Sequence, residues 1–288
     1  MNIPAPINDE YEEVLDTKKA FFQDSKKRKK AITLFVVIIL IWSFLCFKFL
    51  PKTIWLSQSG FFTFAIPWFI AIWYFSSIYA KIRKAFWKQL ALKYKWKYTP
   101  TKNITEEKAL IFGKGYSKKA QNSIGGNYNN LPLYIFEYQY TVPGGKNSHT
   151  YYFTVFEVKF TGTFPHLYLN YKNDLYSNSP LMFSSFAKIS LPQEFANKFK
   201  LYVPKEYEME ALQIFTPDIF ALLLDLKWNH DMEFVDGELV IYSGKQFNTF
   251  IELDTELNKI KKFIEVLSPL LNRFKLTQIG DISPLLRK

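Results

Sequence analysis

The chain of 288 residues holds one cysteine, three histidines and 11 glycines. A single cysteine, Cys46, excludes an intramolecular disulfide and any cluster built on several thiolates. That fits a reducing compartment. Cys46 lies inside an apolar run and reads as a small apolar side chain rather than a lipidated one. The histidines, His149, His166 and His230, lie far apart, and neither H-E-x-x-H nor H-x3–5-H spacing occurs. A zinc site therefore has no support. G-x-S-x-G is missing too. PGGKNS at 143–148 lacks the earlier glycine of a phosphate loop and joins two strand-like runs, so it reads as a hairpin loop. No catalytic residue, cofactor or metal ligand is assigned. Glu137 and Glu157 lie on neighbouring predicted strands, and paired carboxylates can do acid–base work. Strand-surface charge is the plainer reading of both. Asp218, Asp225 and Asp231 recur at no fixed interval, and Asp218 suits a helix N-terminus.

Acid is missing from 81–97, where Lys81, Arg83, Lys84, Lys88, Lys93, Lys95 and Lys97 stand alone. A second basic block, Lys26, Lys27, Arg28, Lys29 and Lys30, precedes the first apolar run. These two blocks carry most of the net charge of +11, while residues 98–288 are nearly neutral, with 21 basic and 20 acidic side chains. A nucleic-acid-binding domain would carry the basic patch on itself, so no nucleic-acid partner is expected. Aromatic content of 19% argues against disorder over most of the chain.

Charge is also missing from Ala31–Phe47 and from Phe61–Ala80. Runs near 20 residues approach what a bilayer core of about 30 Å requires at about 1.5 Å per residue. The reading is a two-helix transmembrane hairpin, 31–50 and 61–80, with Pro51 ending the first helix and Pro67 kinking the second. Trp55 in the link is the interfacial anchor, and the basic blocks set both termini on the cytoplasmic side of the inner (plasma) membrane. The nine lysines and arginines from Lys26 to Lys30 and from Lys81 to Lys88 then lie at the membrane surface, with the lipid bilayer as a partner. Residues 1–30 form a cytoplasmic arm, either an interfacial helix or a frayed polar segment. It is too acidic and too long for a secretory leader.

Residues 81–98 read as a basic juxtamembrane helix, ended by Thr99-Pro100. The remainder, 99–288, reads as one cytoplasmic domain, large enough to bury a core. A helix start is predicted at 104–108 and a polar, glycine-rich loop at 122–130. LYIFEYQYT (133–141) and YYFTVFEVKF (151–160) are rich in β-branched and aromatic residues and predict a long antiparallel hairpin, covered on both faces. Tyr152, Thr154, Phe156 and Val158 share one face of the second strand; Phe153, Val155, Glu157 and Lys159 share the other. Leu167–Leu169 adds a strand and 172–180 a loop. Short helices follow at 193–199, 207–215 and 218–228, the last with Thr216 as N-cap and Pro217 in its first turn. An Asp236-Gly237 turn predicts a compact hairpin. Leu257, Ile260, Ile264, Leu267 and Leu271 form the stripe of a final helix over 254–274, interrupted by Pro269. The fold class is α+β: the hairpin, then a mainly antiparallel sheet with packed helices.

The run LPQEFANKFKLYVPKEYEMEALQIFTPDIFALLLDLK, followed by FVDGELVIYS, resembles a family of uncharacterised bacterial two-span membrane proteins. Phe195, Phe199, Glu210, Ala211, Thr216, Pro217 and Tyr242 carry the resemblance. GGNYNNLPLYIFEYQY and FTVFEVKF are similar as well. The resemblance implies an N-terminal transmembrane hairpin and a C-terminal cytoplasmic domain of unknown function. It implies no catalytic residue, substrate or cofactor.

The function expected is that of a membrane-anchored protein-interaction or scaffolding module whose partner is another protein. Two alternatives stand beside it. One is an enzyme acting on a membrane-associated substrate, with Glu137, Glu157 or the aspartates brought into a cleft. The other is an anionic-lipid sensor using 81–97.

Overall fold

The computed structural model describes residues 25–49, 58–105, 107–145, 147–162, 164–172 and 186–282. Residues 1–24 of the expected 1–30 arm, Trp55 and most of the predicted 172–180 loop lie outside them. The chain divides into two compact units, Met1–Gln89 and Leu90–Lys288.

In the first unit the two apolar runs are helical. Helix α1 spans Ser25–Phe49 and helix α2 spans Gln58–Tyr94, crossing into the second unit. Phe35 of α1 meets Trp68 of α2 edge to face, with ring centroids 6.2 Å apart. Among the described residues, however, no helix is long and apolar enough to cross a membrane. The reason is length and composition. Ala31–Phe47 is 17 residues, about 26 Å at about 1.5 Å per residue, short of a core of about 30 Å. Phe61–Ala80 is diluted by Thr63, Pro67, Tyr74, Ser76, Ser77 and Tyr79. The expectations of a transmembrane hairpin, of an integral protein of the inner membrane and of positive-inside topology are corrected on this finding.

The second unit is dominated by a sheet rather than balanced between helix and sheet. Among the described residues nine strands form one sheet: β1 (Lys97–Thr101), β2 (Tyr116–Tyr128), β3 (Leu131–Gly144), β4 (Asn147–Lys159), β5 (Leu167–Tyr171), β6 (Phe186–Ile189), β7 (Phe199–Pro204), β8 (Asp231–Val235) and β9 (Glu238–Ser243). Their spatial order is β1-β2-β3-β4-β9-β8-β5-β7-β6. Every neighbouring pair is antiparallel. The long hairpin of β3 and β4 is present, and its strands continue into the turn, so that Gly144 pairs with Asn147. The predicted loop at 122–130 is instead the end of β2 and its turn. Asn129 and Asn130 both take positive φ, 49° and 64°. Two consecutive positive φ values give a turn whose twist matches that of the flanking strands. Of the predicted helix start at 104–108, the described residues are not helical; a single turn, α3, lies at Leu110–Gly113.

One face of the sheet carries Leu133, Ile135, Phe156, Val158, Met232, Phe234, Leu239 and Ile241, all fully buried. Short helices α4 (Gln193–Ala196), α5 (Glu208–Ile214) and α6 (Pro217–Asp225) and the long helix α7 (Phe250–Ile282) belong to this side. Phe215 meets Phe234 edge to face at 5.9 Å, and Phe195 stacks on Phe199 at 4.4 Å. The predicted stripe of α7, Leu257 to Leu271, is buried throughout. The Thr216 side chain accepts from the Ile219 amide, capping α6 as expected. The other face is lined by rings: Phe136, Tyr138, Tyr140, Phe153, Tyr168, Tyr202 and Tyr242 form one cluster with Ile111 and Phe112 of α3. Phe112 packs on Phe136 and Tyr138, and the Tyr138 hydroxyl donates to the Ile111 carbonyl at 3.3 Å.

The β8–β9 turn leaves no room for a side chain at its glycine. Asp236 and Gly237 have φ of 48° and 80°. A Cβ on Gly237 would stand 2.1 Å from the Gly162 carbonyl oxygen. Gly237→Ala is therefore expected to cost about 2 kcal/mol or more, from positive-φ strain plus a backbone clash. Urea unfolding should show a lowered midpoint for this variant and no change for Gly145→Ala beyond its φ strain alone, since Gly145 has open space around it.

Candidate functional site

Antiparallel register sets the site. Residues directly opposite one another share a face. Lys97 pairs with Gly125, Gly125 with Tyr134, Tyr134 with Glu157, and Glu157 with Val240. Val240 pairs with Glu233, Glu233 with Tyr168, and Tyr168 with Tyr202. A single row of side chains thus crosses the ring-lined face and brings two carboxylates, Glu157 and Glu233, into its middle.

Glu157 has no exposed surface. A buried carboxylate is costly unless paired. Lys102, in the segment leading from β1 across the sheet, supplies the partner. Its ammonium lies 2.5 Å from Glu157 Oε2 and 2.5 Å from Glu107 Oε1. It also stands 4.7 Å from the centroid of the Phe136 ring. Lys159 bridges from the other side, 2.6 Å from Glu238 and 3.5 Å from Glu157 Oε1. Burial pushes the Glu157 carboxyl up, and Lys102 offsets only part of that. For Lys159 burial acts to lower the ammonium, but Glu238 and Glu157 outweigh it and hold it up. Carboxylate oxygens of Glu107, Glu157 and Glu238 lie within 4.8 Å of one another. Among the described residues this trio could hold a metal, but each of its carboxylates is already in an ion pair with Lys102 or Lys159.

Beside this cluster, where α3 no longer covers the ring-lined face, opens a cleft of about 360 Å³. Its floor is Gly125, Gly126 and Tyr134, and its walls include Lys97, Thr99 and Lys102. The missing side chains have a reason. A Cβ on Gly125 would come 2.5 Å from the Tyr134 ring, and one on Gly126 would come 2.1 Å from the Trp96 ring.

The second carboxylate of the row is saturated differently. Glu233 accepts from the Tyr242 hydroxyl at 2.9 Å and the Leu110 amide at 2.8 Å, with His166 Nε2 at 3.0 Å. Neighbouring Asp231 accepts from the Tyr168 hydroxyl at 2.9 Å and the Tyr171 amide at 2.7 Å. Burial, then these carboxylates, push both tyrosine hydroxyls up. On the helical side His230 and Glu256 pair at 2.7 Å. Burial would raise the Glu256 carboxyl, but His230 and Lys259 outweigh it and hold it below its ordinary value.

The two glutamates singled out in the sequence are not brought together. Glu137 points to the opposite face, where Asn122 donates to it at 2.6 Å. Asp218 and Asp225 lie on α6, away from Asp231 on β8. The three histidines stay apart. Of the basic residues, Lys29, Lys30, Lys81 and Lys84 are exposed and Lys88 is half-buried. Arg83 is 6% exposed, its guanidinium 5.2 Å from the Phe86 ring. Lys26, Lys27 and Arg28 belong to α1, and Trp55 lies outside the described residues. Lys102, Glu107, Glu238 and Tyr134 were not singled out in the sequence. The available signal was Glu157 itself, a charge placed by strand alternation on the same face as Phe153 and Val155.

Because the folded state holds the Glu157 carboxyl above its ordinary value of 4.5, the folded chain binds more protons than the unfolded one above that pH. Its contribution to stability then falls as pH rises through the folded value and levels off beyond it. Glu157→Gln keeps an acceptor for Lys102 and removes this loss. In urea titrations the variant should gain on the parent as pH is raised from 4.5; parallel curves would refute this account of Glu157.

No family model matches the chain, and no curated protein sequence matches it. The two-span membrane family suggested by residues 191–242 is therefore not supported, in keeping with the lack of a membrane-crossing helix among the described residues. Among solved structures the chain is similar to the mycobacterial trehalose monomycolate transport factor A, TtfA. That likeness has a TM-score of 0.46 and 11% identity, covering 64% of this chain and 96% of that one. A likeness of this size carries no argument about function.

Proposed function

We propose that the chain is a protein-interaction module and that α1 and α2 are its docking element. The observation that carries this reading is the apolar surface of the first unit. Leu34 is 62% exposed, Phe44 63%, Phe69 63% and Trp73 72%, and Ile38, Ile41, Ile70 and Ile72 are exposed around them. Large apolar side chains exposed in this number mark a place that something else covers. Full cover of one such side chain is worth about 1.5–3 kcal/mol. A handful of them offsets an association cost of about 4–15 kcal/mol.

The occupant is the apolar helical face of a different protein, bordered by acidic residues. Exposed Lys29, Lys30, Lys81 and Lys84 flank the apolar stretches, so acids at the partner's borders complement them. A second copy lying parallel to this one would set those lysines against one another.

Photoreactive benzoylphenylalanine in place of Ile38 or Trp73 tests this in cells. Both positions should give one adduct of discrete protein mass, and the same group at Asn129 should give none. Adducts with lipid alone, with a second copy alone, or with nothing would overturn the proposal.

A further inference from the structure

The cleft over β1, β2 and β3 has the volume of a small metabolite site. Its chemistry is one-sided. Ten residues line it and none is an acid; two are lysines, three carry hydroxyls on short side chains, and two carry amides. Lys97 is exposed, at the outer end of the row that runs Lys97, Gly125, Tyr134, Glu157. Lys102 stands at the inner end. Its ammonium has three donors, of which Glu107 and Glu157 take two. Those two carboxylates fix where the charge sits, so little side-chain freedom is left to lose when a ligand arrives.

Between the two lysines the floor is flat. Gly125 has no side chain to fill the cleft, and Gly126, whose Cβ position faces the other side of the sheet toward Trp96, contributes only backbone. Tyr134, half-buried, lies against Gly125 and shows a ring to the opening. Glycine within a strand often marks a site where a ligand or another backbone approaches closely; at Gly125 the absent side chain lets the Tyr134 ring lie down on the strand.

We propose that this cleft binds a small organic anion. Its acidic group is taken up by Lys97 and Lys102, and a flat ring lies on Tyr134. A cation is disfavoured because no carboxylate lines the opening. The acids that face the region from behind, Glu107, Glu157 and Glu238, are held by Lys102 and Lys159. Thr99, Thr101, Asn103 and Asn127 supply neutral hydrogen bonds around the acidic group.

Pyridoxal 5′-phosphate is a direct probe, since it joins a phosphate, a flat ring and an aldehyde that condenses with a nearby lysine. The full-length protein is treated with it at low concentration, reduced with borohydride, and mapped by peptide mass spectrometry. Label at Lys97 or Lys102 should exceed label at Lys188 or Lys200 by at least about tenfold. Pyridoxal, without the phosphate, should lose that preference. Phenyl phosphate should compete at a concentration at least about tenfold below that of inorganic phosphate. Even label across the surface lysines, or equal label by pyridoxal, would overturn the anion site. Equal competition by the two phosphates would overturn the role of Tyr134 and leave an adventitious ion only.

Discussion

A carboxylate with no exposed surface, set in the middle of a face otherwise lined by rings, cannot be left uncompensated. Glu157 is such a group, and the contact with Lys102 answers it. Much of the ring-lined face follows from that pair. Lys102 reaches Glu157 only because the chain leaving β1 turns over the sheet. The same excursion carries Glu107 to the cluster and sets α3 on Phe136 and Tyr138. Where that segment ends, the face is uncovered, and the cleft is what remains. The pair is thus a constraint on topology before it is a contributor to stability, which agrees with the modest net worth expected of buried ion pairs.

Polar saturation sets the two carboxylates of the row apart. Glu233 is surrounded by donors from a tyrosine, a backbone amide and a histidine. Glu157 is matched by ammonium groups alone, and its Oε1 has no hydrogen-bond donor. The first arrangement holds a core together. The second lies next to open space and is the one a bound molecule would perturb.

The parts of the fold that could be read from the sequence were those in which one segment carries its own evidence. β3 and β4 alternate strongly, α7 has a regular stripe, and Thr216-Pro217 and Asp236-Gly237 name a cap and a turn. β2 could not be read in this way. Its sequence, YSKKAQNSIGGNY, has one β-branched residue, and it is a strand because β1 and β3 pair with it and two rings cover its glycines. The site was legible only in part. Alternation put Glu157 on the ring-lined face, but Lys102 lies 55 residues away and no local period links them. The membrane reading weighed the lack of charge in α1 and α2 above the length and purity of the apolar stretch. In α1 the uncharged stretch is 17 residues, at the lower limit of a span, and in α2 it is interrupted by hydroxyl-bearing residues and a proline.

The strand order also governs how the sheet is made. β4 is synthesised long before its neighbour β9, and β5 long before its neighbour β8. The β8–β9 hairpin enters between them, with Glu238 meeting Lys159 and Glu233 meeting Tyr168. Until residues 231–243 leave the ribosome, β4 and β5 lack the neighbours that they pair with in the finished sheet. Open strands of this kind invite pairing with the wrong neighbour. Closure across such separations is slow. The last hairpin therefore acts as a keystone, and the interval before its arrival is when this protein has most need of a chaperone.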